Sequence, residues 1–427
     1  MGAVKEFGRL IADACGAPAG SLTTYIEVPF KLGKQELRPD GLIRVARGNR
    51  SWTALVEVKT GKNHLTADQV DKYVDLALAN GFDAVLTISN ELPPVLGSHP
   101  VTIDKRKLRK VGLYHFSWVR IISSAVMQKE FRGVEDPDQA WILGELIRYL
   151  EHDKSGALNF DDMGSNWTAV RDDVRRGTLR KNDPGVTDVA TTFDALIRYT
   201  CLHLGRRLGT EVTPKLSKRL RDNPQERTLD LVHELDSHGT FSAVIHVPGA
   251  AADLHVTCDL RTQQIRTSAT VDASDHSRSK TRITWLTRQL KNAPPGTVVE
   301  AFFHRARTGV GSTLEAVREE PEVLVHDAKA DLRKFQIALI SPMGTNKLAG
   351  KNSFIDSVIG SVDVFYGSIL QQIKPWRTPA PALRPDPPEQ IPTKDKALSS
   401  TELSSQDGPE TEETLDRSSD TEAAAPS

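Results

Sequence analysis

Apolar and polar positions alternate along this chain in blocks whose period changes from helix-like to strand-like. Val4, Phe7, Leu10, Ile11 and Ala14 fall on one helical face, which predicts a first helix over residues 4–14. Residues 23–30 read as a first strand. Residues 42–45 and 52–59 read as two strands joined by a polar hairpin, with Gly48-Asn49 at its turn. Thr66 is placed to cap a helix that runs to Asn80, with Val70, Val74, Ala77 and Leu78 toward the core. Asn80-Gly81 closes it, and Ala84-Val85-Leu86-Thr87-Ile88 is a continuous apolar run, the mark of an interior strand. Residues 113–123 read as one more strand, and residues 138–152 and 167–176 as helices.

Asn182-Asp183-Pro184-Gly185 reads as a sharp turn and a domain boundary. Beyond it a helix is expected over residues 189–208. Three alternating strands follow, marked by Phe241 to Val247, Leu254 to Leu260 and Ile265 to Val271. A helix at 281–290, strands at 298–303 and 335–340 and a closing helix at 354–373 complete the pattern. The expected architecture is an α/β N-terminal domain, a mixed central sheet flanked by helices, followed by an α+β domain built on an antiparallel sheet. The expected divisions are 1–130, a helical extension or linker at 131–183, the second domain at 184–375, and a tail at 376–427.

Composition changes this picture in three ways. The formal charge of −1 over 427 residues is uneven, because residues 376–427 carry 5 Lys and Arg against 11 Asp and Glu. That Pro- and Ser-rich acidic tail has too few apolar side chains to offset chain entropy and is expected to be disordered. Cys15, Cys201 and Cys258 form no CxxC pair, which argues against a disulfide framework or a structural zinc site. No apolar run is long enough to span a bilayer and no signal-peptide core is present, so a cytoplasmic protein without a membrane partner is expected.

The candidate chemistry lies between Arg38 and Tyr73. Side chains alternate along a strand, so Leu55, Glu57 and Lys59 share one face while Val56 and Val58 point to the other. A carboxylate and an ammonium in an apolar strand are costly unless they meet a partner or a metal. The hairpin brings its outer ends together, so Asp40 is expected beside Glu57. Two carboxylates and a backbone carbonyl, that of Val58, make an oxygen-rich pocket suited to Mg²⁺ or Mn²⁺. Lys59 would then orient a water or stabilise charge on a phosphorane. Gln69 and Tyr73, four residues apart, lie one above the other on a helical face that looks back toward the carboxylates.

Pro39-Asp40 followed by Glu57-Val58-Lys59 on the next strand resembles the PD-(D/E)xK nuclease superfamily, and Gln69 with Tyr73 resembles the QxxxY helix motif of its RecB-like branch. The resemblance covers roughly residues 1–125 and implies a restriction endonuclease-like fold for them. It implies a magnesium-dependent hydrolase cutting phosphodiester bonds, in DNA foremost, in genome maintenance or defence. By resemblance Asp40 and Glu57 hold the metal, Lys59 assists the water, and Gln69 and Tyr73 position the phosphate or the lysine. Glu6 stands on the first helix, where such nucleases often carry an acid. The basic run Lys105, Arg106, Lys107, Arg109 and Lys110 is a candidate phosphate contact. A protein partner is expected through the second domain or the acidic tail.

The competing expectation is a catalytically silent module that keeps the fold to bind nucleic acid or a protein. Other chemistries fall away. Asn352 stands where a phosphate loop needs Ser or Thr after Lys351, and no Gly-x-Ser-x-Gly elbow occurs.

Overall fold

Sheet register explains why the first half of the chain folds as it does. A computed structural model describes residues 1–93, 99–157, 160–180, 182–274, 276–325 and 331–374. In it α1 (Lys5–Ala14) precedes β1 (Ser21–Ile26), the small hairpin β2 (Phe30–Leu32) and β3 (Gln35–Leu37), then β4 (Gly41–Arg47) and β5 (Arg50–Val58). Gly48 takes a positive φ of 57° at the β4–β5 turn, which a side chain would resist. α2 (Ala67–Asn80), β6 (Ala84–Ser89), β7 (Gly112–Ser117), α3 (Trp118–Met127) and α4 (Pro137–Glu151) follow.

These strands form a five-stranded sheet in the order β1-β4-β5-β6-β7. The β1, β4 and β5 pairings are antiparallel and the β5–β6 and β6–β7 pairings parallel. Alternation along β5 sends Leu55 to one face, where it packs with Val70, Val74 and Leu76 of α2 and with Val85. Ala54 and Val56 go to the other face and pack with Phe7 and Ile11 of α1, Ile121 of α3 and Leu143 of α4. A mixed sheet flanked by helices results, as expected. Thr66 caps α2 by accepting from the Gln69 N–H, and Gly81 ends it in the left-handed conformation.

The second half holds α5 (Trp167–Arg176), α6 (Pro184–Leu208), β8 (Thr213–Pro214), α7 (Lys218–Asp222), α8 (Pro224–His238), β9 (Thr240–His246), β10 (Leu254–Asp259) and β11 (Gln264–Asp272). It continues through α9 (Ser279–Gln289), β12 (Val298–Phe303), β13 (Val310–Thr313), α10 (Leu314–Glu319), β14 (Leu332–Pro342) and α11 (Phe354–Ser368). Its seven strands pair antiparallel in the order β13-β12-β14-β11-β10-β9-β8, a sheet separate from the first. Its core is aromatic: Trp167 lies 4.3 Å from Phe354 and Phe193 stacks on Phe241 at 4.8 Å between ring centres. All described residues belong to one compact unit, and among them no helix is long and apolar enough to cross a membrane. The acidic tail at 376–427 lies outside the described residues.

Several expected elements differ, each for a local reason. The strand expected at 23–30 is broken by Glu27, whose φ of 49° ends β1 at Ile26. The strand expected at 113–123 stops at Ser117. The Ser117 hydroxyl accepts from the Arg120 N–H at 3.2 Å and starts α3, whose Ile121, Ile122 and Ala125 are buried at helical spacing. The expected turn at Asn182-Gly185 is a helix start, because Asp183 caps α6 and Pro184 is its first residue. The helical extension or linker at 131–183 spans both cores: Leu143 and Leu150 of α4 join the first sheet's, and Trp167, Val170 and Val174 of α5 join the second's.

Candidate active site

The hairpin register sets the site. Gly41 faces Val56 in the β4–β5 ladder, so Asp40, one residue before it, faces Glu57, one residue after. Asp40 Oδ2 accepts the Val58 N–H at 2.7 Å, so the carboxylate takes the place of the next ladder partner. Val58, expected to lend its carbonyl, thus binds Asp40 through its amide. Asp40 is exposed, and among the described residues no hydrogen bond to its Oδ1 is present, which leaves that oxygen open to solvent. Beside it the Glu27 N–H donates to the Asp40 carbonyl at 3.2 Å, which holds the Pro39-Asp40 corner against the end of β1.

Glu57 is 3 % exposed and sits on the α2 side of the sheet with Leu55. Its Oε1 accepts from Lys59 Nζ at 2.5 Å and from Gln69 Nε2 at 2.6 Å. The Tyr73 hydroxyl lies beside both Glu57 and Gln69. Asp40, Glu57, Lys59, Gln69 and Tyr73 therefore meet at one end of β5. Burial raises the Glu57 carboxyl above its ordinary range and the nearby charge of Asp40 raises it further, while the Lys59 and Tyr73 contacts oppose both. Burial next to Glu57 pushes Tyr73 up to about 12, so it is a neutral hydroxyl at pH 7.

Lys59 is held from behind. Its N–H donates to the Ile88 carbonyl at 2.7 Å, and its carbonyl accepts from Trp118 Nε1 at 2.8 Å. With both backbone groups bound, the ammonium swings only about its own side-chain torsions.

No family model, curated protein or solved structure matches this chain. The site is therefore read from its geometry. Among the described residues no group of three or more His, Cys, Asp and Glu converges as a metal cluster. The donor set still fits a hard divalent cation. Two facing carboxylates repel, one keeps an oxygen without a partner, and the other is held above its ordinary pKa by burial and that repulsion.

The structure adds residues that sequence reading passed over. Glu57 pairs with Thr87 in the β5–β6 register and Thr87 with His115 in the β6–β7 register, so a polar row crosses the sheet at one level. Thr87 Oγ1 lies 2.9 Å from His115 Nδ1 and 2.8 Å from His99 Nε2, and His115 Nε2 lies 2.9 Å from the Glu91 carbonyl. The signal was present: Thr87 is the polar residue inside an apolar strand, at the same level as Glu57. Trp118, counted as a strand residue, instead anchors Lys59 from the start of α3.

Other candidates are not brought in as expected. Lys107 is bound to Asp71 at 2.8 Å and Asp75 at 2.7 Å, so it docks its loop on α2 instead of facing outward for phosphate. Glu6 Oε2 is buried without a hydrogen-bond partner, which marks a packed acid on α1.

Proposed function

We propose that this protein is a metal-dependent nuclease that hydrolyses phosphodiester bonds, in DNA foremost, with a role in genome maintenance or defence. One observation supports this most: Lys59 and Gln69 donate to the same oxygen of a buried Glu57 that faces Asp40. Lys59 balances only one of the two opposed carboxylates, so a bound divalent cation would offset the charge that remains.

Asp40 and Glu57 would hold Mg²⁺ or Mn²⁺, with the Val58 carbonyl available as a third oxygen. When bound, such an ion lowers the pKa of a coordinated water and stabilises charge on phosphate oxygens. The chain's own groups supply the rest. Gln69 fixes the Glu57 carboxylate by its 2.6 Å bond, so the acid is oriented before substrate arrives. The Lys59 ammonium, beside Glu57 on the same strand face, would donate to the attacking water or to a non-bridging phosphate oxygen. Tyr73 keeps its proton and offers a hydroxyl from α2 that donates to the phosphate or accepts from Lys59. The water oxygen bonds to phosphorus and gives up a proton to solvent, the bond to the leaving sugar oxygen breaks, and that oxygen takes up a proton from solvent.

A specific observation favours a second reading, the silent binding module. Asp40 Oδ2 is taken by the Val58 N–H and Glu57 Oε1 by two donors, so the polar set is largely satisfied within itself. The two readings part in one experiment. Labelled single-stranded, double-stranded and branched DNA, and RNA, are incubated with the protein and Mn²⁺ or EDTA, alongside Lys59→Ala. Cutting that needs metal and disappears in the variant is expected. No cutting, with no thermal stabilisation by Mn²⁺, would leave the binding module.

A further inference from the structure

A cavity of about 690 Å³ opens between the two sheets; His115 of β7 lines it, while Asp40, Glu57, Lys59, Gln69 and Tyr73 do not. Its walls come from α1 (Leu10, Ile11, Ala14), α3 (Arg120, Met127) and α6 (Arg198, Leu202), closed by the segment around β8. The volume lies inside the range that takes a small organic molecule. Most of the lining is apolar, yet five cations face three carboxylates around it.

Arg198 is the decisive side chain. It is 9 % exposed, and its Nε, Nη1 and Nη2 have no hydrogen-bond partner among the described residues. Nη2 approaches Asp194 Oδ2 at 3.2 Å as an ion pair, without the alignment of a hydrogen bond. Asp194 is shared, because Arg227 Nε donates to its Oδ1 at 3.2 Å. Two guanidinium groups thus rest on one buried carboxylate, and one positive charge is left over. An uncompensated buried charge costs several kcal/mol in general, so a group of opposite sign is the expected neighbour. At the same cavity the Arg120 guanidinium lies 4.4 Å from the centre of the Phe116 ring with the Glu211 charge near it, and no hydrogen bond holds it among the described residues. The unpartnered Arg198 fork, with the Arg120 guanidinium at the same largely apolar cavity, matches an anionic head with an apolar body.

We propose that this cavity binds a small organic anion, an aromatic or aliphatic body carrying a carboxylate or a phosphate, whose head is gripped by Arg198 with Arg120 beside it. A planar guanidinium donates two parallel bonds to either head group. The body lies against Leu10, Ile11 and Leu202. This assignment does not depend on the nuclease reading, because none of its residues belongs to the Glu57 constellation.

The test is thermal unfolding of the full chain with phenyl phosphate, benzoate and uncharged benzyl alcohol, at matched ionic strength. One or both anions raise the midpoint saturably, as mass action requires, and benzyl alcohol does not; the better of the two identifies the head group. In Arg198→Met the apparent Kd rises about tenfold or more, the loss expected for a charged hydrogen bond. Arg120→Met, which leaves the Asp194 pair intact, weakens binding in the same assay and stands in if Arg198→Met does not fold. The proposal is overturned if neither anion gives a saturable shift, or if both variants respond as the wild type does.

Discussion

His115 offers the most quantitative test of how the first sheet is built. Its ring is 6 % exposed at the middle of β7. A carbonyl only accepts, so the 2.9 Å contact to Glu91 assigns the proton to Nε2, and Nδ1 accepts from Thr87. His99 Nδ1 lies 3.0 Å from the Val101 N and 3.1 Å from the Val101 carbonyl; in the tautomer in which Nδ1 accepts, its Nε2 donates to Thr87 Oγ1. In that tautomer a chain of donation from His99 through Thr87 and His115 to the Glu91 carbonyl satisfies both rings in the neutral state. Burial lowers His115 from 6.5 to about 4, with His99 and Arg120 pulling the same way and the Glu91 bond opposing. At 1.36 kcal/mol per pKa unit this amounts to about 3 kcal/mol. Burial lowers His99 as well.

The sign follows from where the proton binds first. The unfolded chain takes it up near 6.5 and the folded ring resists until about 4, so stability is whole above the first value and drains as pH falls toward the second. Urea midpoints measured from neutral pH down to about 4 should fall across that window by roughly that energy. In His115→Gln, which keeps a polar side chain at the site, most of the slope should vanish. A flat profile in the wild type, or an equal slope in the variant, would show that the buried neutral pair has been misread.

Four further outcomes test other parts of the structure. Mg²⁺ should raise the thermal midpoint of the wild type and leave Asp40→Asn and Glu57→Gln unmoved, since each removes one of the two facing carboxylates. Trp118→Phe keeps the ring and deletes the N–H that binds the Lys59 carbonyl; it should cost about 1 kcal/mol in urea unfolding and lower metal-dependent cutting while Mg²⁺ still stabilises the protein. Thr66→Ala removes the α2 cap and should cost about 1 kcal/mol in the same unfolding assay. Trp167→Ala should cost about 3–5 kcal/mol, because that ring is fully buried and its N–H is bound to the Thr345 carbonyl.

Much of the first sheet was legible because its signals are local. Gly48-Asn49 dictates the hairpin, period-2 alternation puts Glu57 and Lys59 on one face, and Thr66 announces α2. Convergence of Asp40 with Glu57 then follows from register alone. What escaped depends on tertiary context. Ser117 is an N-cap only because the chain turns there, and Trp118-Val119 carries no mark that separates strand from helix. Glu27 adopts a positive φ that its residue type does not advertise. Helix α8 opens at Pro224 and carries alternating charged and apolar residues with a weak stripe, so nothing in its pattern forces the reading until Leu231 and Leu235 are seen in the core. Lys107 looked like a phosphate contact because the acids that bind it sit over thirty residues away on α2.

The turn after Lys59 has a practical consequence for anyone dissecting this chain. The Gly61 N–H donates to the Gly156 carbonyl at 2.8 Å, and Asn90 Nδ2 reaches both the Gly61 and Gly156 carbonyls at 2.9 Å. Three segments far apart in sequence are stitched at one knot directly behind Lys59. A truncation ending near residue 130 would look sensible by sequence, yet it would remove Gly156 along with Leu143 and Leu150. A minimal fragment must therefore run to Ala157, and a shorter one that fails to cut nucleic acid would say nothing about the intact chain.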